Sequence, residues 1–285
     1  MMFHLAKAYS FIYGYAKDRF GVHLPGLGFA LRLVRSDRII SVMGRKMYFN
    51  HKVAASYARL IAGSWNEPET HLLLNFLIPR LPGSVSFIDV GANIGEMVLD
   101  VSRHGNVVQI VAFEPIPGCC HSIRESFKLN GFKNYQIIEK LVGDKCGHVK
   151  FSDDGKNTGG SSLYSECSAR SLHEVPITTL DNEISVSSDH VIILVDVEGY
   201  EPSVLKGGAR FIRTERPFII FEYNTISKKH YMISEIREIL GADYDIYRLR
   251  QDGRLDGDVE NAWNCVAIPK ESVFETATGS YVVEF

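Results

Sequence analysis

Acidic side chains stand at the ends of apolar runs throughout this sequence, where a parallel sheet would gather them along one edge. Asp89 lies in F-I-D-V just ahead of the glycine-spaced turn G-A-N-I-G, the whole stretch covering residues 87–95. Glu114 closes the run 110–113, Asp144 follows the run 135–142, Asp196 and Glu198 follow V-I-I-L-V at 191–195, and Glu222 ends F-I-I-F-E. Ligands of open parallel sheets bind beside the carboxyl ends of the strands, near the switch in strand order. One such acid alone reads equally well as a helix cap or a solvated carboxylate; the set reads as a binding site.

The turn itself narrows the ligand. Gly91 lets the backbone turn sharply without a Cβ, and Gly95 lets the following helix pack closely on the strand. The spacing loosely matches a dinucleotide fingerprint, but Asp89 and Glu96 would repel a pyrophosphate at the helix N-terminus. A ligand bearing ammonium and sulfonium cations and no phosphate fits those acids, and S-adenosylmethionine (SAM) is the common adenosyl ligand of that kind. Glu114 is then placed to take both ribose hydroxyls, each charge-assisted hydrogen bond contributing about 1.5 to 3 kcal/mol.

Asp196, Glu198 and Glu222 fall farther along the same edge and are candidates for catalysis. The motif at 196–199 is D-V-E-G and not an N-P-P-Y type turn that clamps a nucleobase amine, which disfavours DNA amino methylation. A hydroxyl acceptor loses its proton as the methyl arrives, and a carboxylate within reach contributes about 10² to 10⁴ in rate by taking it. In-line alignment supplies roughly 7 to 11 kcal/mol more. Asp196, Glu222 and Asn224 also suit a magnesium ion shared with two acceptor hydroxyls; the spacing fixes no distances, and a metal-free site is the favoured reading.

These segments resemble the FkbM-type methyltransferases: F-I-D-V-G-A-N-I-G, A-F-E-P at 112–115, T-L-D at 179–181, and L-V-D-V-E-G-Y-E at 194–201 followed by L-K-G-G at 205–208. The likeness runs over about residues 65–269. It implies a SAM-dependent methyltransferase in which Gly91, Ala92, Asn93 and Gly95 hold the methionine moiety, Glu114 with Pro115 the ribose, and Asp144 the adenine side. Glu67 matches a position near the cofactor. The family is associated with hydroxyl acceptors on sugars of polysaccharides and glycolipids and on polyketides. The polar loop with Thr158, Ser161 and Ser162, the carboxylates, and Tyr200 and Tyr223 as stacking rings favour a sugar. A SAM-binding scaffold without transfer is the alternative of another class, and the retention of all three acceptor-side acids argues against it.

The elements that must position these residues alternate. Strands are predicted over 86–90, 107–113, 135–142, 191–195, 218–223, 244–250 and 265–269, with helices over 95–103, 117–130, 202–213 and 233–240 between them. Central strands that are apolar without alternation are buried on both faces. The fold class is therefore α/β: a seven-stranded, mostly parallel Rossmann-like methyltransferase sheet with helices on both faces and one antiparallel strand at its edge. Ahead of it, residues 1–66 read as an extension with a helix over 1–17, a β-hairpin over 38–49 and a helix over 52–62; residues 67–285 form the catalytic domain, opened by a helix at Pro68.

At 285 residues with 45% hydrophobic and 23% charged residues, the composition is that of a globular protein. A net charge of -3 gives no basic footprint for a nucleic acid. Five cysteines, with Cys119 and Cys120 adjacent, suit reduced thiols and a cytoplasmic location. Charged residues break every apolar run in 1–34, so a transmembrane helix and a secretory signal are not expected there. That segment reads as a helix docked on the domain or on a second subunit, with a membrane-surface contact as the alternative. His51, His71, His121, His173 and His190 have no second histidine at ligand spacing and read as packing or surface residues.

Overall fold

A computed structural model describes residues 36–53, 55, 56, 59, 64–152 and 172–283. The expected helix over 1–17, most of that over 52–62, and the hydroxyl-rich loop 153–166 lie outside the described residues. The chain opens with β1 (Arg38–Val42) and β2 (Arg45–Phe49), an antiparallel hairpin whose turn residues Met43 and Gly44 both take positive φ. Such a primed turn matches the right-handed strand twist. After α1 (Pro68–Leu77) come β3 (Val85–Val90), α2 (Glu96–Val101), β4 (Val107–Phe113), α3 (Pro117–Asn130) and β5 (Tyr135–Ile138). A side sheet of β6 (Leu141–Val142), β7 (Gly147–Ser152) and β8 (Leu172–Thr178) follows. The second half runs α4 (Leu180–Glu183), β9 (His190–Val195), α5 (Glu201–Lys206), α6 (Ala209–Glu215), β10 (Phe218–Glu222) and α7 (Ile233–Leu240). It closes with β11 (Tyr244–Leu249), β12 (Leu255–Asp256), β13 (Asn264–Pro269) and α8 (Val273–Thr278).

The main sheet has the order β12-β11-β13-β10-β9-β3-β4-β5. The seven predicted strands are all present, and the two-residue β12 adds an eighth at the edge. Strands β3, β4, β5, β9 and β10 run parallel, while β13 is antiparallel to both neighbours, β10 and β11. Of the seven predicted strands the antiparallel one, β13, is thus inside the sheet, and the edge is taken by the short β12, which is antiparallel to β11. Burial explains the exchange: every residue of β13 is buried, whereas β11 leaves three of its six only partly covered and tolerates the outer place. Successive residues of the central strands feed opposite cores. Phe87, Ile192, Leu194 and Ile220 join the face covered by α1 to α3, and Ile88, Val90, Ile193 and Phe221 join the face covered by α5 to α7.

Two departures from the sequence reading bear on the site. The third strand ends at Ile138, where Lys140 N–H bonds back to the Ile138 carbonyl, and Leu141–Val142 turn away to pair with β8. The helix expected over 202–213 breaks at Gly207 and Gly208. A Cβ on Gly207 would lie 1.8 Å from the Gly143 oxygen, and Asp181 of the T-L-D motif caps α6 by accepting the Arg210 and Phe211 amides at 3.1 and 2.8 Å. The hairpin docks on α3 through Tyr48 N–H to Ser126 Oγ (3.0 Å) and Asn130 Nδ2 to the Lys46 carbonyl (2.6 Å), and Val42, Met47 and Phe49 enter the α1-side core.

Candidate active site

The switch in strand order falls between β3 and β9, and the two strand ends meet there. Asp196 N–H donates to the Val90 carbonyl at 2.9 Å. Gly91, at φ 96°, then passes so close that a Cβ would sit 1.9 Å from the Asp196 oxygen. Only glycine meets both the left-handed conformation and that approach. The turn continues through Asn93 at φ 49° to Gly95 at φ 85°, the cap of α2, where a Cβ would meet Ile123 at 2.7 Å. Glu114 fastens this turn from the next strand, its Oε2 accepting Asn93 N–H and its Oε1 accepting Ile116 N–H, both at 2.8 Å. The two amides fix the carboxylate at the end of β4, beside the turn.

A cavity of about 70 Å³ opens over this turn, lined by Asp89, Gly91, Asn93, Glu96 and Asp196 and closed from above by Asn66 and Glu67. Asp89 is 2% exposed; burial, then the charges of Glu114 and Glu67, push its carboxyl up to about 8. Glu96 is held on both sides, by the Asn66 amide at 2.7 Å and by Arg59 Nε at 2.9 Å, while Arg59 also grips the Ser64 carbonyl. Residues 64–67 are thereby strapped across the cavity. Trp65 packs under the strap, stacked on His71 with centroids 5.3 Å apart, so it acts as a staple and is not a lid. His71 in turn pairs with buried Asp100 at 2.7 Å.

Beyond Asp196 the space widens into a cleft of about 1300 Å³. Asp196 lines both cavities, and so do Glu67 and Asn93. Carboxylate oxygens of Asp196, Glu198 and Glu222 come within 4.8 Å of one another, the set among the described residues that could hold a divalent cation. Burial raises all three carboxyls above their ordinary range: Asp196 with the charges of Glu67 and Glu222, Glu198 through burial, and Glu222 up to about 8 with the charges of Glu198 and Glu201. Ser227 Oγ donates to Glu222 Oε2 at 3.1 Å and Asn224 Nδ2 donates to Oε1. Asn224 does not present its oxygen as a ligand: Oδ1 accepts the Ile226 and Ser227 amides at 2.7 and 3.0 Å and builds the turn after β10.

Glu201, which the sequence reading passed over, shapes the D-V-E-G loop. Fully buried, it accepts the Val197 and Gly199 amides, both at 3.2 Å, and so supports Glu198 at its strained φ of 53°. Its place three residues after Glu198, opening a helix, is the signal that could have marked it. Asn264, paired with Glu222 across β10 and β13, donates to Glu67 Oε2 at 3.0 Å and ties the strap to the sheet.

Other predicted site residues lie elsewhere. Ala92 lines the smaller cavity, and Pro115 follows Glu114 without lining either space. Asp144 is exposed, six residues past the end of β5 and beside Gly207, because the third strand leaves the sheet early. Tyr223 is buried, its hydroxyl accepting Ile233 N–H at 3.1 Å, and Tyr200 packs against Gly143. Neither ring lines the cleft.

No curated protein matches the chain. Among solved structures it resembles the methyltransferase FkbM of Methylobacillus flagellatus KT, at 18% identity and a TM-score of 0.47 over 69% of this chain and 47% of that one, so it spans about half that relative's length. It also resembles a precorrin-6y C5,15-methyltransferase of Geobacter metallireducens GS-15 (15%, TM-score 0.40, 71% and 88% covered). A third is an rRNA methylase of Streptococcus thermophilus (11%, 0.41, 70% and 93%). The family model described as the methyltransferase FkbM domain matches residues 89–249, more than half of the chain and a stretch that takes in Asp89, Glu114, Asp196, Glu198 and Glu222, and the chain belongs to that methyltransferase family.

Proposed function

We propose that this chain is a SAM-dependent O-methyltransferase acting on a hydroxyl of a sugar in a glycan or glycolipid. Family membership supports methyl transfer; the observation that carries the hydroxyl reading is Glu222, a carboxyl pushed up to about 8 in the wide cleft and one step from Asp196, which borders the small cavity as well. General bases work best with a pKa near the working pH.

The small cavity suits the cationic end of SAM. Gly91 leaves room where a side chain would block it, and Asp89 and Asp196 offer the counter-charge; Glu114, which lines neither cavity but holds the Asn93 amide of the turn, is the group proposed for the ribose hydroxyls. When bound, SAM supplies an electrophilic methyl group on a sulfonium. The protein's own work lies in the cleft. Glu222 takes the acceptor's proton on one carboxylate oxygen, Ser227 and Asn224 hold that carboxylate in place, and Glu198 accepts a neighbouring hydroxyl. Asp196 stands between the two spaces and keeps donor and acceptor in register.

A cation at Asp196, Glu198 and Glu222 would replace the shared proton as the remedy for their repulsion. Ser227 and Asn224 already engage both Glu222 oxygens, which favours the metal-free site. The test is transfer from labelled SAM to a panel of glycans, lipid-linked sugars and a polyketide aglycone, with and without exhaustive chelation. Labelled glycans that persist after chelation are expected. Label in the aglycone alone would overturn the sugar reading, and loss on chelation restored by magnesium would overturn the metal-free one. We further propose a cytoplasmic enzyme; no helix among the described residues is long and apolar enough to cross a membrane.

A further inference from the structure

We propose that Trp263 is the platform on which the ring of a pyranose acceptor lies, so that one hydroxyl of the stacked ring reaches Glu222. The inference rests on the O-methyltransferase reading above and adds to it a specificity-determining residue. Trp263 is 53% exposed and lines the wide cleft, although burying an indole is among the most favourable contributions a side chain makes. Its position is nonetheless fixed. The Trp263 carbonyl accepts Tyr223 N–H at 2.8 Å, immediately after Glu222, and the next residue, Asn264, is the cross-strand partner of Glu222 itself. The segment before it is tied down by Lys228 Nζ, which donates to the Glu260 and Ala262 carbonyls at 2.7 and 3.1 Å. The backbone that carries this exposed ring is therefore fixed at the strand end that carries the base.

What surrounds it selects the ligand. Ile226, 43% exposed, extends the apolar surface in the same cleft, while Glu198 and Glu222 offer acceptors for vicinal hydroxyls and Gln251 offers an amide. One flat apolar face ringed by hydrogen-bonding groups is the surface of a pyranose in complement. A nucleobase also stacks on tryptophan, but a phosphate backbone would meet Glu67, Glu69, Glu198, Glu222 and Glu260, while the three cations of the lining are engaged: Arg248 with Asp256 and Asp258, Arg250 with Asp252, and Lys228 with the Glu260 and Ala262 carbonyls. A polyketide would want apolar walls on more than one side.

The test compares wild type with Trp263→Ala and Trp263→Phe, using the methyl pyranosides of glucose, galactose, mannose and N-acetylglucosamine as acceptors and sorbitol as an acyclic polyol. Wild type is expected to methylate at least one pyranoside in preference to sorbitol. Trp263→Ala should raise the KM for that pyranoside at least about tenfold, leave kcat and calorimetric SAM affinity within about twofold, and leave sorbitol unchanged, with Trp263→Phe in between. An unchanged pyranoside KM in a folded Trp263→Ala protein overturns the platform while the sugar reading stands. Methylation of the aglycone of the preceding experiment and of no pyranoside overturns both.

Discussion

Glu114 and Glu222 stand at the carboxyl ends of buried strands in one sheet, each 5% exposed, and the chain treats them in opposite ways. Glu114 is met by two main-chain amides that belong to the glycine turn and to the start of α3. Glu222 is met by one amide and one hydroxyl and faces Glu198 and Glu201, whose charges add to burial in pushing it up to about 8. Main-chain amides that converge on Glu114 fix it in place, which suits recognition of hydroxyls. Acids that converge on a carboxylate make it ready to hold a proton, which suits a base. On the proposed function the β3–β5 half of the sheet binds and the β9–β10 half reacts, with Asp196 shared between them.

The largest effect expected from breaking this division is at the seam. Gly91→Val places a branched side chain where the Asp196 oxygen lies 1.9 Å from the Cβ position, so it abolishes SAM binding altogether in calorimetry, and with it transfer. On the reacting side, Glu222→Gln keeps the shape and removes the base; turnover falls by about 10² to 10⁴ in a labelled-methyl assay. On the binding side, Glu114→Ala leaves the amides of Asn93 and Ile116 unpaired and loses the ribose contact. SAM affinity falls by about 1.5 to 3 kcal/mol, roughly tenfold to 150-fold.

The smallest effect is a proton linkage. With its carboxyl at about 8, Asp89 is mostly protonated at pH 7 in the free protein, and a cation bound beside it favours the ionised form. Binding then releases a proton, so SAM affinity rises with pH. Between pH 6 and 7.5, below the titration of an α-amino group at about 7.7 to 8, the logarithm of affinity should climb with a slope between 0 and 1. Asp89→Asn should flatten that slope. A slope of zero in wild type would mean that Asp89 does not face the cation.

The binding half was the more legible in the sequence because it is local. Nine contiguous residues, 87–95, hold the strand end, the turn and the helix start, and Glu114 ends the next strand. Asp144 was misplaced by the same rule, since nothing in Y-Q-I-I-E-K-L-V marks that the strand quits the sheet at Ile138. The reacting half is assembled across the sheet. Asp196, Glu198 and Glu222 follow from the strand-end pattern, but Trp263 and Asn264 reach the site only because β13 inserts beside β10, where the sequence pattern puts the antiparallel strand at the edge. Tyr223 was chosen as a stacking ring for its nearness to Glu222, and strand alternation turns it into the core instead.

One crossed measurement tests the division most directly: calorimetric SAM affinity and single-turnover methyl transfer to one acceptor, on Glu114→Ala and Glu222→Gln side by side. Two carboxylates with separate duties predict that Glu114→Ala loses affinity at least about tenfold yet transfers at near the wild-type rate once saturated with SAM, while Glu222→Gln binds SAM as wild type does and transfers at least about tenfold more slowly. Equal losses of affinity in both proteins would put Glu222 in the cofactor's shell and contradict the account.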